Sequence, residues 1–191
     1  MNGSQMEREL MKTLRYHGFV TMRAPGSGTG DFDLPDVLAA KNGIAMAAEV
    51  KSGDRPSNLT NAEVEALATV GDAFLGASLV AVRYKQDRTF YLADVAALEE
   101  TDAGNYSVPV KENLPWTAAI HYQEVDGEIV PDTNEGQRGV EYANDEVPPT
   151  LQDFFDALVT SQQGYQVRNG VVDLTDQDHD SAACGGGDDG E

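Results

Sequence analysis

Apolar residues recur along the chain with two different periods, and the switches between them mark out its elements. Over Ser4–His17, Met6, Leu10 and Leu14, with Met11 beside them, form one stripe at helical spacing. Ser4 followed three residues later by Glu7 has the form of a capping box, and Gly18 ends the helix. Phe19–Arg23 reads as a strand and Ala24–Gly30 as a Gly/Ser loop. Pro35–Ala40 and Gly43–Lys51 are short apolar runs joined at Lys41-Asn42-Gly43, the pattern of a β-hairpin. Val64, Leu67, Ala68 and Phe74 then mark a helix over Asn61–Phe74 with Thr60 as its N-cap. Strands follow at Ser78–Tyr84 and Thr89–Asp94, about a turn at Asp87-Arg88. Helix, three strands, helix and two strands predict a mixed α/β domain.

The remainder is less regular. Tyr106–His121 reads as one or two peripheral strands, with Trp116 packing on them. Residues 122–147 are acidic and contain Gly and Pro, so a linker is expected. Pro148–Gln162 carries Leu151, Phe154, Phe155, Leu158 and Val159 on one side behind Thr150, an N-cap candidate. This amphipathic helix either docks on the core or serves a partner. Gln166–Leu174 suggests a hairpin around Asn169-Gly170, and residues 175–191 hold too few apolar groups to order. The expected organisation is a core over 1–121, a linker over 122–147, an extension over 148–174 and a disordered acidic tail over 175–191.

The candidate chemistry lies in the predicted hairpin. Strand side chains alternate faces, so Glu49 and Lys51 point one way and Val50 the other. Asp36, near the start of the first strand, lies opposite the end of the second. Two carboxylates and an ammonium thus converge at one rim of a sheet. Paired carboxylates suit a hard divalent cation such as Mg²⁺, and a nearby Lys can position water or offset charge on a phosphate. The bland alternative is an exposed Glu–Lys pair worth under about 1 kcal/mol. Arg55, in the loop Ser52–Leu59, is either a DNA contact or a solvated loop charge.

The order of motifs resembles a known family. Glu7-Arg8-Glu9-Leu10, His17-Gly18-Phe19, Arg23, Gly26-Ser27-Gly28, Pro35-Asp36-Val37 and Glu49-Val50-Lys51-Ser52 together look like the archaeal Holliday junction resolvases, of the PD-(D/E)xK nuclease superfamily. The resemblance covers residues 1–95. It implies a restriction-endonuclease-like core, a mixed central β-sheet flanked by helices. It implies metal-binding or catalytic roles for Glu7, Asp36 and Glu49, a catalytic Lys51, and phosphate contacts from Arg8, Arg23 and Ser27. It further implies a Mg²⁺-dependent endonuclease, with Mn²⁺ as a substitute metal. The resemblance likewise implies a homodimer that resolves branched DNA by paired symmetrical nicks. The loop before Pro35 is longer than the family pattern and carries Asp31 and Asp33, negative charge beside the expected phosphate contacts.

Charge changes this picture in one respect. The formal net charge is -20, whereas nucleic-acid binders usually carry a basic footprint. Residues 1–121 hold 11 basic and 16 acidic side chains, and residues 122–191 hold 2 and 17. Seven of the 13 basic residues fall within the first 55 positions, around the candidate site. Lys is scarce throughout, which favours adaptation to a salt-rich cytoplasm, as in a halophilic archaeon or its virus, over a regulatory acidic tail. At 1 M salt the Debye length is about 3 Å, so distant charge hardly repels DNA. No apolar run approaches a membrane span, and no signal-peptide pattern opens the chain, so a cytoplasmic protein is expected. The single Cys184 excludes a disulfide framework. His17, His121 and His179 lack metal-ligand spacing, and His17 is expected to meet a helix dipole.

The reading that unites these features is a structure-selective DNA endonuclease. Two alternatives remain. One is a related nuclease acting on flaps, ends or duplex DNA. The other is a non-catalytic acidic module that binds a replication or repair protein through residues 150–160.

Overall fold

A computed structural model describes residues 3–24, 34–74, 76–85, 87–108, 118–132, 150–157 and 160. Helix α1 spans Gly3–Tyr16 and is followed by β1 (Val20–Arg23), β2 (Val37–Lys41) and β3 (Ile44–Gly53). Helix α2 (Asn61–Ala73) leads to β4 (Ala77–Tyr84) and β5 (Thr89–Asp94). A short 3-10 turn at Val95–Ala97 precedes β6 (Glu99–Glu100) and β7 (Tyr106–Ser107), then β8 (Ala118–Val125) and β9 (Glu128–Pro131). Residues 151–157 form a last helix, α3.

Seven strands make one sheet in the order β1-β2-β3-β4-β5-β8-β9. The β3–β4 pair is parallel and the other neighbours are antiparallel. A parallel pair needs a crossover, and α2 supplies it. The sheet alternates cleanly. Met46, Ala48, Leu79, Phe90, Leu92 and Ile120 face α1, and its Leu10 and Leu14 complete that layer. Ala47, Val80, Val82, Tyr91 and Ala93 face α2 through Leu67. Each buried Leu or Phe contributes about 1.5–3 kcal/mol, so the two layers hold the sheet as a rigid platform.

Two hairpins use the same turn. Asn42-Gly43 and Asp126-Gly127 all have positive φ, at 52°, 83°, 52° and 81°. That is the type I′ geometry whose twist matches paired strands. The first was legible. The second overturns the expected boundary at residue 121, because residues 122–125 and Glu128–Pro131 are paired strands joined by this turn rather than linker. Tyr122 lies in the core and Asp126-Gly127 is a strong hairpin signal, outweighed in the sequence by the surrounding acidity.

Two further expectations are corrected. Ser4 lies inside α1 rather than ahead of it, and Glu7 is not its capping partner. Strand β2 starts at Val37 rather than Pro35, because Pro has no N–H to donate to a ladder. His17 follows the last residue of α1, as expected, and its N–H donates to the Thr13 carbonyl at 3.3 Å. Burial and the neighbouring Lys41 charge lower its pKa, and its Nε2 is buried with no hydrogen-bond partner among the described residues.

The amphipathic helix docks on its own chain. Leu151, Phe154 and Phe155 are buried in the α1-side core, and Phe155 meets Phe19 edge-on at 5.4 Å between ring centroids. Thr150 caps it, taking the Asp153 N–H at 3.1 Å while Asp153 accepts the Thr150 N–H at 3.2 Å. These three residues of the apolar face are therefore occupied by the chain's own core, while Leu158 and Val159 lie outside the described residues. Ser27, Trp116, the 166–174 hairpin and the 175–191 tail lie outside the described residues. Among those described, no helix is long and apolar enough to cross a membrane.

Candidate active site

Strand β3 carries the site. Its pairing with β2 runs to Val37–Ala48, so one step further Asp36 stands across from Glu49. The Val50 N–H donates to Asp36 Oδ2 at 3.0 Å, which fixes that carboxylate against β3 just outside the ladder. Glu49 and Lys51 project from the α2 side, as alternation requires. Lys51 Nζ lies 3.1 Å from Glu49 Oε1 and 2.7 Å from Glu63 Oε1. The structure thus brings Glu49, Lys51 and Glu63 into contact, with Asp36 held on the backbone of the intervening Val50.

Its electrostatics are unusual. Burial, then the facing Asp36 charge, raise the Glu49 carboxyl to about 8, with Lys51 offsetting only part of this. Burial lowers the Lys51 pKa, but the Glu63 hydrogen bond and the Glu49 and Glu63 charges outweigh it, leaving the ammonium above its ordinary value. Glu63 is itself lowered despite burial, mainly by its hydrogen bond to Lys51. The site thus holds a half-buried pair of carboxylates short of positive charge. This donor set fits a hard divalent cation, which takes one or two carboxylates and completes its shell with water and phosphate oxygens.

Glu7 does not join that pair. Its carboxylate is bound by Arg23 Nε, and Arg23 Nη2 reaches Ser4 Oγ at 3.1 Å. Among the described residues no three acidic, His or Cys side chains cluster as a metal cage, so the expected three-carboxylate set of Glu7, Asp36 and Glu49 is not assembled. The physical reason is that α1 lies on the opposite face from Glu49, and Arg23 offers the nearer countercharge. Arg23 pairs with Val37 across β1–β2, so the Glu7–Arg23 pair still sits at the rim beside Asp36. Arg8 and Arg55 are exposed. Glu63 was missed, although Thr60-x-x-Glu63 is a capping box legible in the sequence.

A family model described as archaeal Holliday junction resolvase (hjc) matches residues 1–125. The chain belongs to this family. The crossover junction endodeoxyribonuclease Hjc of Sulfolobus acidocaldarius is 32% identical over 133 residues, covering 64% of this chain and 88% of that protein. Its namesake from Archaeoglobus fulgidus is 31% identical over 134 residues, covering 67% and 97%. The solved structure of Archaeoglobus fulgidus Hjc, a Holliday junction resolvase, superposes with a TM-score of 0.51 at 31% identity, over 56% of this chain and 87% of that one. The fold is therefore the mixed α/β nuclease core of the archaeal resolvases. The family match takes in every candidate site residue and ends before β9 and α3.

Proposed function

We propose that this chain is a divalent-metal-dependent endonuclease that resolves four-way DNA junctions by paired symmetrical nicks. The carrying observation is the convergence of Asp36, Glu49 and Lys51 at one rim of the sheet, in a chain of the resolvase family. The family implies a divalent metal, and we assign Mg²⁺, with Mn²⁺ as substitute, to Asp36 and Glu49. When bound there it supplies an activated water and stabilises charge on the phosphodiester. The Val50 N–H keeps Asp36 turned toward Glu49. Lys51 presents its ammonium to charge developing on the phosphate. Glu7 acts by orienting Arg23 at the rim. Arg8, Arg23, Arg55 and Ser27 contact phosphates, which positions the junction without reading its sequence.

Symmetrical incision needs two sites, and we propose a homodimer. An apolar trough on the α2 side of β1–β3 supports this. It is lined by Val20, Met22, Leu38, Val70 and Phe74, of which Val20 is 77% and Phe74 58% exposed. Contiguous exposed apolar surface of this kind marks an association site. We place the enzyme in the cytoplasm, where its DNA is.

The test is cleavage of four-way junction, flap and linear duplex in Mg²⁺ and molar KCl. Opposing strands of the junction are expected to be nicked at matching positions, with linear duplex cut slowly. Asp36→Asn and Glu49→Gln are expected to abolish nicking and keep junction binding. Equal rates on duplex would reassign the chain to a general endonuclease, and wild-type nicking by either variant would remove the assigned site.

A further inference from the structure

Glu63 has no role in the hairpin motif, yet it makes the shorter of the two contacts to Lys51. Its Oε1 accepts Lys51 Nζ at 2.7 Å, against 3.1 Å for Glu49. Its Oε2 accepts the Thr60 N–H at 2.7 Å, and its own N–H donates to Thr60 Oγ1 at 3.2 Å. One carboxylate therefore does two jobs. It closes the capping box of α2 and ties the start of that helix to the end of β3. The Lys51 side chain is only 12% exposed, so its ammonium is held in a narrow slot between two strand- and helix-borne carboxylates.

We propose that Glu63 is a positioning residue for Lys51, fixing the ammonium at the rim where Asp36 and Glu49 face one another. The inference rests on the nuclease reading for its catalytic consequence, and on geometry alone for the positioning itself. A Lys carries four rotatable side-chain bonds, and one carboxylate two residues away on the same strand does not fix them. A second acceptor from another element does. With Glu63 in place the ordering of the ammonium is prepaid in the fold, as positioning for catalysis requires. The capping-box geometry in turn locks Glu63, because its second oxygen is already committed to the Thr60 N–H.

Glu63→Gln separates the two jobs. Gln at this position still closes a capping box, but it carries no charge for Lys51. Glu65→Gln is the control: it removes the same charge from a neighbouring exposed residue whose carboxylate pairs with Asn61. Glu63→Gln is expected to keep its melting temperature and junction affinity while nicking about 10- to 100-fold more slowly at saturating junction and Mg²⁺. In a Lys51→Ala background it is expected to have no further effect, since a residue acting through Lys51 has nothing left to position. Unchanged nicking by Glu63→Gln, or an equal loss from Glu65→Gln, would overturn the proposal.

A second readout needs no activity. The chain has five Lys, so the side-chain ammonium resonances can be assigned by substitution. Lys51 is expected to show an ammonium signal protected from exchange with water, lost in Glu63→Gln and kept in Glu65→Gln. If the wild type cuts no junction, the nuclease reading fails and this signal alone decides the positioning. A Lys51 signal indifferent to Glu63→Gln would end it.

Discussion

Glu49 is under electrostatic strain. Its carboxyl is raised from an ordinary 4.5 to about 8, first by burial and then by Asp36. The unfolded chain releases that proton at the lower value, so between the two the native state binds more protons. Stability of the metal-free protein must then fall as pH rises across this window. In chelator, the melting temperature of the wild type is expected to drop relative to Glu49→Gln between pH 4.5 and about 8. Parallel curves for the two proteins would exclude Glu49 as the source.

The elements sort into those that build the platform and those that brace it. Strand β3 is buried on both faces between β2 and β4, which keeps Glu49 and Lys51 at fixed height above the sheet. Helix α1 is braced from within. Glu9 accepts from Arg83 Nη1 at 3.1 Å and from the Tyr122 hydroxyl at 3.0 Å, linking α1 to β4 and β8. Helix α3 braces the same layer from beyond the family-matched span. Phe155 is 3% exposed and contacts Phe19, with Lys41 Nζ 5.0 Å from its ring centroid. Phe155→Ala is expected to destabilise the protein by about 3–5 kcal/mol, the usual cost of a buried Phe truncation. Removal of residues 148–191 is expected to lower the melting temperature as well, and removal of 175–191 alone is not. A full-length melting temperature after the longer deletion would show that α3 contributes nothing to the core.

Two copies of the site are needed for symmetrical nicking, and a C2 pair places them at a fixed separation. The trough over β1–β3 is the face we assign to this pairing. Val20→Asp together with Met22→Asp is expected to give a monomer by light scattering. It should retain metal binding while its nicks on one junction lose their pairing. A dimer that survives both changes would place the interface elsewhere. Both positions project from the face of β1 opposite α1, so the α1-side core is left intact. The acidic surplus falls mainly in residues 122–191 of the sequence, after the stretch that carries Asp36, Glu49 and Lys51.

Alternation with period two is a local property, and it made much of the site readable. Once Asn42-Gly43 is a type I′ turn, the register follows, and Asp36 must lie across from Glu49 with Lys51 on the same face. Five of the sheet's strands were legible from short apolar runs between turns, and the two main helices from apolar residues at helical spacing. Long-range packing settled the remainder. Glu7 is one carboxylate among several until α1 is laid on the sheet with Arg23 beside it. Glu63 reads as a helix cap until the crossover brings α2 over β3 and Lys51 reaches it. Residues 122–131 look like linker because their acidic side chains face water, while the backbone of β8 pairs with β5 and β9 and buries Tyr122. Which face of a helix meets which strand depends on contacts between residues far apart in the chain. Composition and spacing carry no record of that choice.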